Sequence, residues 1–148
     1  MAQLNKFLRL SAADRRLLVK ALLLVWAVRL GLWLLPFRMV RRLLLRLAKG
    51  LSRDEASDCT MVNRIVWAVT RTSQYVPAAT CLTQAIATKV LLGCYGHHVN
   101  VHLGVARSEA GQFQAHAWVE SKGNIVIGGS ELFLKRYTPF PASGEEII

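Results

Sequence analysis

A cysteine at position 81 and a histidine at position 116 have the chemistry for acyl transfer through a covalent intermediate. A thiolate attacks a carbonyl carbon, and an imidazole within reach takes the thiol proton and passes it to the departing group. Cys81 opens a stretch in which Leu82, Ala85, Ile86, Lys89 and Val90 recur at helical spacing. Thr80 is a natural N-cap, Pro77 keeps the approach extended, and Gly93 is a natural stop. The thiol is thus expected at a helix start, where unpaired backbone N–H groups and the positive helix end favour negative charge on sulfur. His116 lies within Phe113-Gln114-Ala115-His116-Ala117-Trp118-Val119-Glu120, a strand-like run. Taken singly, a cysteine on a helix is usually a small buried apolar group, and a histidine in a strand is usually structural. In helix-then-strand order, the two together make a nucleophile and its base.

The elements that must position them follow from composition and period. A chain of 148 residues suits one domain with a real core, and its hydrophobic content of 53% is high for that size. Three cysteines without a CxxC pair argue against a disulfide framework and for a reducing, cytoplasmic setting. Cys59 and Cys94 read as buried thiols. Four histidines and three cysteines make no zinc spacing, so neither a metal nor a cofactor is expected.

Charge is unevenly placed. Residues 1–53 hold twelve Lys/Arg against one acid, Asp14, whereas residues 54–148 hold seven Lys/Arg against eight acids. Three readings compete for the basic third: a nucleic-acid patch, a membrane-facing surface, and a docking face for acidic protein partners. The segment resembles no nucleic-acid module and has little aromatic interleaving beyond Trp26 and Trp33, which ranks nucleic acid lowest.

Ser11 and Asp14 mark the start of a helix that is strongly apolar from Leu17 to Leu35. Its longest run without Lys or Arg is Ala21–Val28, far short of the ~20 apolar residues a bilayer needs, so a packed or surface-bound helix is expected rather than a span. No small-residue cleavage site marks it as a signal peptide. After Pro36 a basic helix is predicted over about Arg38–Lys49, with Val40, Leu43, Leu44 and Leu47 on one face. Ser52-Arg53-Asp54-Glu55 reads as the capping box of a third helix, about Asp54–Thr72, with Val62, Ile65, Val66 and Val69 facing the core. Beyond Gly96 the period becomes that of strands: Val99–Val105, Phe113–Glu120 and Ile125–Ile127, with turns at Glu109-Ala110-Gly111 and Ser121–Asn124. His97, His98 and His102 read as loop or strand-surface groups, and Tyr137–Pro141 as an extended segment lying on the core. The fold class is α+β: a helical N-terminal half, then a cysteine-bearing helix on a small antiparallel sheet. Residues 1–53 form a basic amphipathic helical segment packed on a core of residues 54–148.

Ala-Thr-Cys-Leu-Thr-Gln-Ala at 79–85, Leu-Leu-Gly-Cys-Tyr-Gly at 91–96, His-Leu-Gly-Val at 102–105 and Ala-His-Ala-Trp-Val-Glu at 115–120 occur in order. Together with the opening Leu-Ser-Ala-Ala-Asp-Arg-Arg-Leu-Leu and the Leu-Pro-Phe-Arg break, they resemble the lasso peptide biosynthesis B2 proteins, the transglutaminase-like leader peptidases of lasso peptide clusters. The resemblance implies a transglutaminase/papain-like core, with Cys81 as nucleophile and His116 as general base. It implies a precursor peptide as substrate, a separate leader-recognition B1 protein as partner, and a lasso cyclase that closes the freed core. Members commonly carry an aspartate twelve residues after the histidine; here that position is Gly128, and no aspartate follows Asp58. Glu120 shares a strand face with His116 but lies ~13 Å along it, too far to touch. Glu131 or a backbone carbonyl could orient the ring, and the residues do not choose between them. The Cys81 N–H is an expected oxyanion donor and Gln74 a weak second. Two rivals stand beside the peptidase: a weakened scaffold that binds leader or partner without cutting, and an acyl-transfer enzyme with an amine acceptor.

Overall fold

The computed structural model describes residues 10–36, 38–40, 42, 43, 46 and 59–139. Three helices, α1 (Ala12–Leu34), α2 (Cys59–Ser73) and α3 (Cys81–Cys94), precede strands β1 (Asn100–Arg107), β2 (Phe113–Ser121) and β3 (Asn124–Ile127), a single turn α4 (Glu131–Leu134) and a short β4 (Thr138–Pro139). The α+β architecture is the one the change of period predicts.

The helix α1 starts where Ser11 accepts the Asp14 N–H at 3.1 Å. It ends before Pro36, at Leu35, whose extended φ of −118° and ψ of 146° suit a residue that precedes proline. Leu17, Ala21, Val25 and Val28 form its buried stripe. Asp14 is clasped by Arg64 of α2, whose Nε donates to Oδ1 at 3.0 Å, so the start of α1 is tied to its neighbour. The Ser11 hydroxyl first and this guanidinium second hold the Asp14 carboxyl below the usual carboxylate range.

The middle of the molecule is α3. Thr83, Ala85, Ile86, Ala87, Thr88, Val90, Leu91 and Leu92 are all buried, so apolar and small side chains cover nearly its whole circumference. A helix of that composition must be enclosed, and α1, α2 and the sheet enclose it. It runs one residue past the predicted stop at Gly93; Gly96, at φ +78°, follows its end. One cluster joins Leu17, Ala21 and Val25 of α1 to Ile65, Ala68 and Val69 of α2, Leu91 and Leu92 of α3, and Val101, Ala117 and Val119 of the sheet. A second joins Val28 and Val40 to Ile86 and Val90.

The sheet is antiparallel with order β3-β2-β1-β4. The pair Gly104↔His116 fixes the β1–β2 register, and β2 meets β3 with an irregularity at Val119/Glu120. Along β2, Ala117 and Val119 enter the helix-packed core, while His116 and Trp118 point to the other face.

Several expectations change. In α2, Ile65 and Val69 are buried as predicted, and Val62 and Val66 only in part. Val40 is buried but Leu43, expected on the same face, is exposed. Leu44, Leu47 and the capping box at 52–55 lie outside the described residues. At 23 residues, α1 is also long and apolar enough to cross a membrane by length and composition, which the run of residues between cations understated.

Candidate active site

Cys81 is the first residue of α3, half-buried and packed against the core beside Ala79 and Leu82. Thr80 caps the helix from an extended backbone, its hydroxyl accepting the Thr83 N–H at 3.4 Å. As the first helical residue, Cys81 has an N–H outside the helix's own hydrogen-bond ladder, the group an oxyanion would need. Three residues earlier, Ala78 holds φ of +55°, a left-handed conformation costing about 1–2 kcal/mol for a residue with a side chain. Strain of this kind collects at functional sites, and here it lies in the approach to the thiol.

His116 is half-buried in β2, and its Nε2 is hydrogen-bonded to the backbone carbonyl of Gly128. A carbonyl oxygen only accepts, so Nε2 must carry the proton, which leaves Nδ1 of the neutral ring as the basic nitrogen. The ring is held from its sides by Phe133, edge-on at 5.6 Å between centroids, and by Tyr137 at 5.2 Å. Gly104, opposite His116, makes room for this arrangement: a Cβ there would lie 2.9 Å from the Trp118 ring and 3.1 Å from Tyr137.

Position 128 is thus beside the histidine, and it contributes its main chain. Gly128 has φ of +110°, and a Cβ on it would lie 2.5 Å from Trp118 Cβ and 2.9 Å from the Ala117 carbonyl oxygen. No side chain fits, an aspartate included. Of the two orienting groups left open by the sequence, the carbonyl takes the place. Glu131 is exposed in the first turn of α4, and among the described residues no hydrogen bond joins it to His116. Glu120 instead faces His102 at 3.4 Å, and His102 in turn stacks on Trp118. Gln74 is exposed in the turn after α2.

Helix α3 packs on β2, so thiol and imidazole lie on contacting elements, but the imidazole is on the face of β2 opposite the core-facing Ala117 and Val119. Among the described residues no hydrogen bond joins Cys81 to His116. The sequence missed Phe133 and Tyr137 as ring supports. Ser130, which accepts the Phe133 N–H at 3.3 Å, was the available signal for the turn that carries them. The other cysteines also differ from expectation. Cys59 is exposed on α2 rather than buried. Cys94 is half-buried, and burial pushes its thiol up against the opposing effect of Lys20.

No His/Cys/Asp/Glu cluster able to hold a metal ion occurs among the described residues. A family model described as the transglutaminase-like superfamily matches residues 22–141, beginning inside α1 and running across the boundary expected at 53/54. No curated protein and no solved structure matches the chain.

Proposed function

Because the chain belongs to the transglutaminase-like superfamily, we propose that it is a cysteine peptidase in which Cys81 is the nucleophile and His116 the base. The observation that carries this reading is the Nε2–Gly128 carbonyl bond, which leaves Nδ1 as the basic nitrogen of the histidine on β2, the strand most extensively packed against α3. In the forward step Nδ1 takes the thiol proton, sulfur adds to the scissile carbonyl, and the Cys81 N–H receives the oxyanion. The C–N bond then breaks as the imidazolium returns the proton to the leaving amine. Water, losing a proton to Nδ1, attacks the thioester; the acid departs and the thiol is restored. Gly128 accepts from Nε2–H throughout and steadies the imidazolium, without the full charge that a carboxylate would bring. The His116 ring lies on the face of β2 turned away from Ala117, Val119 and the helix-packed core. Proton transfer therefore requires the ring to swing toward the start of α3 when substrate is bound, a larger change than the tightening of an existing hydrogen bond.

The substrate class follows from the resemblance to the lasso peptide B2 proteins: a precursor peptide, cut between leader and core, presented by a separate B1-type recognition protein and followed by a cyclase. The test mixes precursor, recognition protein and this chain and reads free leader by mass. Cys81→Ala and His116→Ala should each lower the rate by roughly 10³-fold or more while circular dichroism is unchanged. Cleavage by purified Cys81→Ala at the wild-type rate rules the reading out. One specific observation favours the scaffold alternative, the lack of a hydrogen bond between Cys81 and His116. In that case leader binds and no variant changes its mass. An amine adduct in place of free leader would mark acyl transfer.

A further inference from the structure

The helix α1 has a second apolar stripe, on the side opposite its buried one. Val19, Leu23, Trp26, Leu30 and Trp33 follow one another at alternating intervals of four and three residues and are 48%, 65%, 39%, 44% and 74% exposed. Steps of four and three keep a single line along a helix, so these five side chains form a ridge facing solvent for most of the roughly 34 Å that 23 residues span. Leu34 and Leu35 extend it, and Met39 and Leu43 are exposed beyond Pro36. A helix with apolar residues on both sides is covered on both. The core covers one.

The charges around the ridge select the cover. By helical spacing, Arg16 and Lys20 lie on one shoulder of the stripe and Arg29 on the other, and Arg38, Arg42 and Arg46 are exposed past its end. The only acid of residues 1–53, Asp14, is already engaged by Arg64. A second copy of this chain would set one cationic ridge against another, which like-charge repulsion disfavours. A sheet of anionic headgroups over an acyl region matches both parts: apolar side chains enter, lysine and arginine heads rise to the phosphates, and the tryptophans sit at the boundary between them.

We propose that the outer face of α1 docks this protein on an anionic lipid surface, with the helix lying in the interface and its inner face still in the domain core. This inference does not depend on the peptidase reading. The inner stripe is what separates docking from spanning, because a helix whose Leu17, Ala21, Val25 and Val28 are packed on α2 and α3 cannot be ringed by lipid without opening the core.

The experiment is co-sedimentation of the full chain with vesicles of phosphatidylcholine alone and with vesicles containing one-third phosphatidylglycerol. Wild type should partition at least about tenfold more strongly to the anionic vesicles, with the difference shrinking as salt rises. Leu23→Gln/Trp33→Gln, both on exposed positions, should lose the binding with an unchanged circular dichroism spectrum, and Arg16→Glu/Arg38→Glu should lose the preference for anionic lipid. Equal partition to both vesicle types, or a double glutamine variant that binds as wild type does, overturns the proposal. So does protein that resists an alkaline wash, which would mean a spanning helix. Failure to sediment with either vesicle, with binding to an acidic recognition protein instead, assigns the ridge to a protein and also overturns it.

Discussion

At the scale of single residues, the position where a carboxylate was expected illustrates how one function can be carried by different parts of a residue. The twelve-residue interval from His116 to Gly128 is legible in the sequence, because two strands and a tight turn fix it. What a glycine does there is not legible, since its contribution is a main-chain oxygen aimed by a φ of +110°. On spacing alone, replacing Gly128 with aspartate would complete a triad; the geometry forecasts the reverse. Gly128→Ala and Gly128→Asp should both destabilise the fold by about 2–5 kcal/mol, from a left-handed backbone and a Cβ pressed into Trp118. Chemical denaturation reads this directly, and an alanine variant within about 0.5 kcal/mol of wild type would show that the backbone relaxes freely. The cysteines teach the complementary lesson. Cys81 could be placed at a helix start from Thr80 and Pro77, but the exposure of Cys59 depends on how α2 is turned against its neighbours, which no local pattern specifies.

At the scale of elements, periodicity located α1, α3 and the three longer strands to within a residue or two. It did not reveal α4, whose four residues are too few to show a period, although its Ser130 cap is an ordinary start signal. Contacts between elements were the least readable level, and the clasp between Asp14 and Arg64 is an example: fifty residues separate the partners. It also gives α1 a pH dependence. Asp14 is more acidic in the folded chain than a free carboxyl, so the clasp stabilises the helix start above the unfolded carboxylate value of about 3.9 and is lost as pH falls through the lower folded value. Amide exchange in the first turns of α1 should therefore quicken, beyond its intrinsic pH trend, as the pH is lowered below about 4. Asp14→Asn should show the faster exchange already at neutral pH and no acid step. An acid step that survives in Asp14→Asn would assign it to another group.

At the scale of the whole molecule, part of the uneven charge noted in the sequence, Arg15, Arg16, Lys20 and Arg29, lies on a helix that is both part of the core and the bearer of an exposed apolar ridge. A long apolar segment near the start of a chain invites truncation to improve handling in solution. Here that would remove Leu17, Val25 and Val28, each nearly sealed from solvent, from two clusters. At about 1.5–3 kcal/mol for each such side chain, the loss is of the order of a small domain's whole stability. A chain beginning after Pro36 should accordingly fail to fold, seen as the absence of a cooperative thermal transition. Sharp melting of that shortened chain would show that α1 is an appendage. Handling can be improved only from outside, by polar substitutions along the ridge of Leu23, Leu30 and Trp33, since the two sides of this one helix answer to different solvents.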